Sequence, residues 1–363
     1  MYPKKYAVSI FLLMIFIAGV VSCKKDTTAT PDTTFKTTPY VAPVIKFFRT
    51  FPVDPANPIT MEGIALGRKL FFDPILSKDS SLSCEGCHKK DFGFSDPRPF
   101  SPGVDGINGT RNAPALINMA WMQDKFFWDG RVNTLREQAA KPIENEIEMH
   151  LPIEVAIQRL QSHPEYVAMF KKAFNTETIS ADLLTKAIEQ FEKTLVSYNS
   201  PYDKYLRDEA PLGASEIRGM NIFNTEKGDC FHCHTTPELF VHPTKIFSNN
   251  GMDAATTISD FTDPGVGAIT HDTADYGKFK IPTLRNLAFT APYMHDSRFS
   301  SLDEVIESYN LGPKLSPTVD PILIEKAQKR LQTTGFWGLQ LSDQDKADLK
   351  AFLLSLSDSS YVR

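Results

Sequence analysis

The chain has no cysteine to spare: five occur in 363 residues, and the five have assignable places that leave none for a structural disulfide. The apolar stretch from about Ala7 to Val21 is too short for a membrane span. With Lys4 and Lys5 before it and Val-Val-Ser-Cys at its end, it reads as a secretion signal. Alternating strand-like runs are scarce, which argues against a β architecture. A basic balance is also missing. The formal charge is −5, and loss of the signal with Lys4 and Lys5 takes it to −7, which disfavours nucleic acid and suits a basic protein partner.

The signal's ending resembles the lipobox of bacterial lipoproteins, in which the cysteine, here Cys23, becomes the lipid-bearing first residue. The expected layout is a signal peptide over residues 1–22 and a tether over 23–45. The tether is rich in Thr, Pro and Lys, with little to bury. The 341 residues after the signal are too many for one small helical domain and suit two.

The other four cysteines lie in two units of one pattern, Cys84-Glu-Gly-Cys87-His88 and Cys230-Phe-His-Cys233-His234. Zinc, a redox dithiol, a disulfide and covalently held haem all use Cys-x-x-Cys. An exported, oxidising destination argues against a dithiol reductase, and neither unit sits in a βαβ pattern. A zinc ribbon joins its knuckles across roughly 15 to 20 residues, far fewer than separate Cys87 from Cys230. The histidine directly after each second cysteine is what c-type haem attachment needs. Two thioether bonds hold the porphyrin edge, and His88 or His234 reaches the iron.

Helical signals dominate the rest. In ISADLLTKAIEQFEKTLVSY, Leu184, Ala187, Ile188, Phe191 and Leu195 follow the 3.6 period after Ser180, a capping residue. Ser342 with Asp345 reads as a second helix start, ahead of Leu349, Phe352, Leu353 and Leu356. Gly67-Arg-Lys-Leu-Phe71 precedes the first motif and Gly219-Met-Asn-Ile-Phe223 the second, each a helix end whose aromatic is placed to pack on porphyrin. The expected fold class is all-α: two cytochrome-c-like haem domains with long loops, 46–205 and 206–363.

The segments GRKLFFDPILSKDSSLSCEGCH, GTRNAPALINMA, FFWDGRVNTLREQAAKPIENEIEM and IPTLRNLAFTAPYMHDSRFSSLDEV resemble the bacterial di-haem cytochrome c peroxidases and their MauG-like relatives, from about Ile64 to the C terminus. The resemblance implies that Trp128 stands between the two haems. It makes Gln138 and Glu148 the distal amide and carboxylate of the peroxidatic haem. Spacing alone does not choose Glu148 over Glu144 or Glu146. A buried carboxylate with a raised pKa suits the proton shuttle that peroxide cleavage requires. Asn112, with the backbone carbonyls of Thr290 and Pro292, matches a calcium site, and oxygen ligands are what calcium prefers.

Two departures refine that resemblance. Peroxidases that must be reduced before they work carry an iron-blocking histidine in an S-x-G-H element, which here reads Ser101-Pro-Gly-Val104, and valine cannot ligate iron. The first haem is therefore expected to be open to peroxide. Fourteen residues after His295, where many members have an axial methionine, stands Tyr309. In SLDEVIESY, Leu302, Val305, Ile306 and Tyr309 share a helical face, so the tyrosine points inward. Tyr309 is the expected ligand of the second iron and Met294 the alternative. His150, His163, His232, His242 and His271 are read as ordinary surface or core residues.

The expected function is reduction of hydrogen peroxide to water with electrons from a small cytochrome c or cupredoxin. The protein would be lipid-anchored in the cell envelope or periplasm and carry two covalent haems c and calcium; the resemblance allows a homodimer, since family members are often dimeric, but no interface is legible in the sequence. The alternatives are MauG-like oxidation of a partner protein through a high-valent iron state, and a di-haem electron carrier without catalysis.

Overall fold

The structure is a computed structural model that describes residues 35–122 and 124–360, with Met1; the signal segment and Cys23 lie outside them. The fold is helix-rich. The helices are α1 (Met61–Phe72), α2 (Leu135–Glu144), α3 (Ile153–Gln161), α4 (Pro164–Phe174), α5 (Ala181–Lys193), α6 (Pro201–Leu206), α7 (Ala214–Phe223), the four-residue α8 (Gly267–Thr270), α9 (Leu302–Leu311), α10 (Pro321–Thr334) and α11 (Asp343–Ser355). Among the described residues the named strands are β1 (Phe247–Ser248) and β2 (Phe279–Lys280), an antiparallel pair. No described helix is long and apolar enough to cross a membrane.

The capping signals act where the sequence puts them. Ser180 accepts from the Leu183 N–H at 3.3 Å to start α5, which buries Leu184, Ala187, Ile188 and Phe191. Ser342 and Asp345 satisfy each other's backbone N–H groups at the start of α11, whose apolar stripe buries Leu349, Phe352 and Leu353.

The two halves repeat one helix crossing. α1 packs on α5 and α7 on α11, and each contact closes over a glycine. A Cβ on Gly67 would stand 1.9 Å from the Ala187 carbonyl oxygen, and one on Gly219 would stand 1.9 Å from that of Asp348. Helices meet this closely only where a side chain is missing on one of them. Gly219→Ala is expected to destabilise the protein by about 1–3 kcal/mol through overpacking, read as a lower thermal midpoint with haem content unchanged. An unaltered midpoint would mean that the crossing yields.

Phe71 and Phe223 differ from expectation in one respect. Phe223 lines the central cavity, whereas Phe71 turns into an aromatic cluster with Phe72, Phe94 and Phe191, at ring centroid distances of 5.3, 5.9 and 5.2 Å. Within the segment read as a tether, the described residues make contacts: Met61 N–H donates to the Thr38 carbonyl at 2.8 Å, Tyr40 N–H donates to that of Ile59 at 2.9 Å, and Ile45 is buried beside Trp121 and Val196. The expected boundary at 205/206 falls inside α6, whose Tyr202, Tyr205 and Leu206 pack with Phe223, Phe240 and Phe352.

Candidate functional site

Each Cys-x-x-Cys-His unit folds as the same tight turn. The N–H groups of Cys87 and His88 donate to the Cys84 carbonyl at 3.2 and 2.9 Å, and those of Cys233 and His234 donate to the Cys230 carbonyl at 3.2 and 3.1 Å. His88 Nδ1 is 3.0 Å from the Phe94 carbonyl oxygen and His234 Nδ1 is 2.6 Å from that of Phe240. A carbonyl only accepts, so each Nδ1 carries the proton and each Nε2 keeps a free lone pair, the tautomer an iron ligand needs. Burial pushes both imidazoles down, His234 to about 4, which keeps them neutral and able to ligate. No disulfide joins these four cysteines, and burial raises the Cys84 and Cys230 thiols to about 12. The six-residue step from histidine to phenylalanine is present in both motifs of the sequence and could have been read there as the carbonyl that orients each imidazole.

Both motifs face one cavity of about 670 Å³. Cys87, His88, Cys230, Cys233 and His234 line it, together with Trp128, Gln138, Glu148, Asn112, Thr290, Pro292, Met294 and Tyr309. Cys84 is set behind the wall, in the apolar core. The sequence-derived residues are thus brought into one space, and Val104 stands outside its lining.

Glu148 is singled out by the loop after α2. The Glu148 N–H donates to the Asn145 carbonyl at 3.0 Å and that of Met149 to the Pro142 carbonyl at 3.1 Å, folding the chain back on the helix end. Glu144 and Glu146 are left exposed, while Glu148 turns into the cavity wall. Burial raises its pKa, against a 2.6 Å hydrogen bond from the Asn145 amide and the charge of Arg131. Val104 contributes through its backbone, its N–H donating to the Glu148 carbonyl at 2.8 Å. Gly103 permits that approach, since a Cβ there would lie 2.2 Å from the Ile147 carbonyl oxygen. Gln138, on α2 itself, has a buried side-chain oxygen with no partner.

Trp128 is fixed by its indole N–H, which donates to the Asn112 carbonyl at 2.8 Å, while the Asn112 N–H donates to the His295 carbonyl at 2.7 Å. The His295 ring is 6.5 Å from the indole and stacks on Phe279 at 3.5 Å with a 13° tilt. This Trp128–His295–Phe279 cluster, absent from the sequence reading, joins residues more than 160 positions apart. Asn112, Thr290 and Pro292 line the same cavity, and the Asn112 amide nitrogen is 3.4 and 3.3 Å from the carbonyls of Asp96 and Arg98.

Tyr309 faces the cavity from α9 with Leu302, Val305 and Ile306. Burial pushes its phenol up to about 12, against a hydrogen bond with Asn250. Below it, the buried Arg285 donates to Asp203 at 2.9 and 2.8 Å and to the carbonyls of Pro237 and Glu238 at 2.8 and 2.5 Å, fixing the loop that carries the Phe240 acceptor. Burial raises the Asp203 carboxyl, but the guanidinium outweighs it and holds the group below the usual range. Arg330 also lines the cavity, and its buried Nε has no partner.

These residues fit two haems c. The paired thiols, the histidines with free Nε2 atoms, and the unpartnered Gln138 oxygen and Arg330 Nε are what such groups would use.

Residues 61–211 match the family model described as di-haem cytochrome c peroxidase. The chain is 33% identical over 342 residues to the methylamine utilization protein MauG of Methylorubrum extorquens, covering 93% of this chain and 90% of that one. It is 37% identical over 264 residues to the cytochrome c551 peroxidase of Nitrosomonas europaea, covering 71% of this chain and 76% of that one. Among solved structures, a MauG-like protein associated with microbial copper homeostasis superposes with a TM-score of 0.79 at 32% identity, over 89% of this chain and 97% of the other.

Proposed function

The chain belongs to the family of the di-haem cytochrome c peroxidases and MauG proteins, and from that premise we propose that it reduces hydrogen peroxide to water with electrons from a small redox protein. The observation that carries this reading is Glu148, a carboxylate of raised pKa that lines the same cavity as His88 and the unpartnered Gln138 oxygen.

Haem, when bound through Cys84, Cys87 and His88 and through Cys230, Cys233 and His234, supplies the redox chemistry. The protein's own groups handle protons and position. Glu148 takes a proton from peroxide and returns it to the departing oxygen, with Asn145 holding the carboxylate in place. Gln138 offers a fixed amide dipole to the charge that develops. Valine at 104 offers no side-chain atom that could ligate an iron held by His88. Trp128, held by Asn112, would bridge towards the second site, and Tyr309 would help His234 hold the second haem's iron. Asn112, Thr290 and Pro292 are the proposed calcium ligands, and Cys23 the proposed lipid anchor of an exported protein.

Tyr309 favours a second reading, oxidation of a partner protein as in MauG-like members. Steady-state assays on the holoprotein separate the two. Rapid peroxide-dependent oxidation of a reduced small cytochrome or cupredoxin is the expected result. An oxidised state that persists without a donor, and little donor turnover, would favour partner oxidation. Two six-coordinate irons and no peroxide consumption would reduce the protein to an electron carrier.

A further inference from the structure

Glu148 opens a three-residue run, Glu148-Met149-His150, and each of the three is tied to a neighbouring segment. The Glu148 carbonyl accepts from the Val104 N–H at 2.8 Å, and the Met149 carbonyl accepts from the Lys78 N–H at 2.8 Å. His150 Nδ1 lies 2.6 Å from Asp105 Oδ2. A carboxylate only accepts, so His150 Nδ1 carries the proton. Asp105 also takes Lys78 Nζ at 2.8 and 3.0 Å, one contact to each carboxylate oxygen. One carboxylate therefore links Lys78, whose backbone holds Met149, to His150.

Asp105 is carried by a closed hairpin, residues 101–109. Pro102 pairs with Asn108, the Gly103 N–H donates to the Ile107 carbonyl at 2.8 Å and the Gly109 N–H to that of Ser101 at 2.9 Å. Gly106 turns the tip at φ 75°, a conformation that a side chain would strain. The base is anchored where Ser101 Oγ donates to the buried Asp96 at 2.6 Å. Arg98, paired with Asp96 at 2.6 Å, donates to the Gly86 carbonyl inside the first attachment turn at 2.7 Å. The hairpin thus runs from the neighbourhood of the first haem-attachment turn to the backbone of Glu148, and Asp105 closes its far end.

An isolated exposed ion pair contributes little, but a two-oxygen contact shared with a third group is the arrangement that does better. The other acid near Asp105 is Asp79, whose carboxylate takes the Ser81 N–H at 2.9 Å, and the groups facing Glu148 are the Asn145 amide and the charge of Arg131. We propose that Asp105 is a positioning residue for the proton-handling step: by clasping Lys78 and His150 it holds the 101–109 hairpin against Glu148 and keeps water from that carboxylate. Asp105 acts only through Glu148, so this role rests on Glu148 being the proton carrier.

Asp105→Asn in the full-length holoprotein keeps the side chain's volume and removes the charge that Lys78 meets. Haem content should stay complete. The Val104 amide should exchange its hydrogen about tenfold faster or more. The stopped-flow rate of peroxide cleavage should fall about tenfold. Its acid limb should move to lower pH, because water that reaches Glu148 relieves part of the burial that raises this carboxyl. Lys78→Met, which opens the clasp from its other side, should act in the same direction. Unchanged Val104 exchange would overturn the clasp. Faster exchange with a wild-type rate and acid limb would overturn the positioning role and leave Glu148 in place. Glu148→Gln, measured alongside, separates the remaining case: if its rate is also unchanged, the proton-carrier reading falls and the role of Asp105 falls with it.

Discussion

Glu148→Gln is expected to slow peroxide cleavage by about 10²-fold or more while leaving haem content and the fold unchanged. Glutamine keeps the volume and one carbonyl oxygen, so Asn145 retains an acceptor for its 2.6 Å hydrogen bond; what is lost is the ability to take a proton and return it. The pH profile carries an independent signature. Burial holds the Glu148 carboxyl above the ordinary carboxylate range, so the proton-accepting form is lost as pH falls through that raised value. The wild-type rate should therefore show an acid limb at higher pH than a free glutamate would give. Glu148→Gln should be slow on both sides of that limb and lack it. Stopped-flow rates against pH decide: an unchanged rate, or an acid limb that survives the substitution, removes Glu148 from the proton path.

Sequence and structure divide this site unevenly. The attachment turns were legible because their chemistry is local: two thiols and an imidazole within five residues can be read from spacing. So were α5, α9 and α11, whose apolar periods and capping residues lie within one segment. Glu148 was not legible from spacing, because three glutamates alternate over five residues and only the backbone fold-back onto Pro142 and Asn145 decides which one turns inward. Arg285 and Arg330 had no sequence signal at all. A buried arginine is identified by the acceptors it meets, and Asp203 and the carbonyls of Pro237 and Glu238 come from segments 47 to 82 residues away.

The second large effect concerns the potential of the haem held by His234. Tyr309→Met is expected to raise its reduction potential by on the order of 0.1 V or more, within the span of about 0.8 V that axial ligands cover. For a one-electron couple that is about a fifty-fold change in equilibrium constant, and it favours the reduced iron. The sign follows from charge. An anionic phenolate stabilises ferric iron, and a neutral thioether does not. Burial alone keeps the Tyr309 phenol protonated, at about 12, so its ligation depends on the iron's own charge reversing that shift. The rival is close at hand: Met294 lines the same cavity, and the Asn250 amide that meets Tyr309 also lies 3.8 Å from the Met294 sulfur. Redox titration of Tyr309→Phe and Met294→Leu separates the two. If Tyr309 is the ligand, Tyr309→Phe shifts the potential and the ferric spectrum of this haem, and Met294→Leu leaves both in place. If the dependence falls on Met294, the second haem already sits at a high potential, and the donor-driven peroxidase reading gains over oxidation of a partner protein.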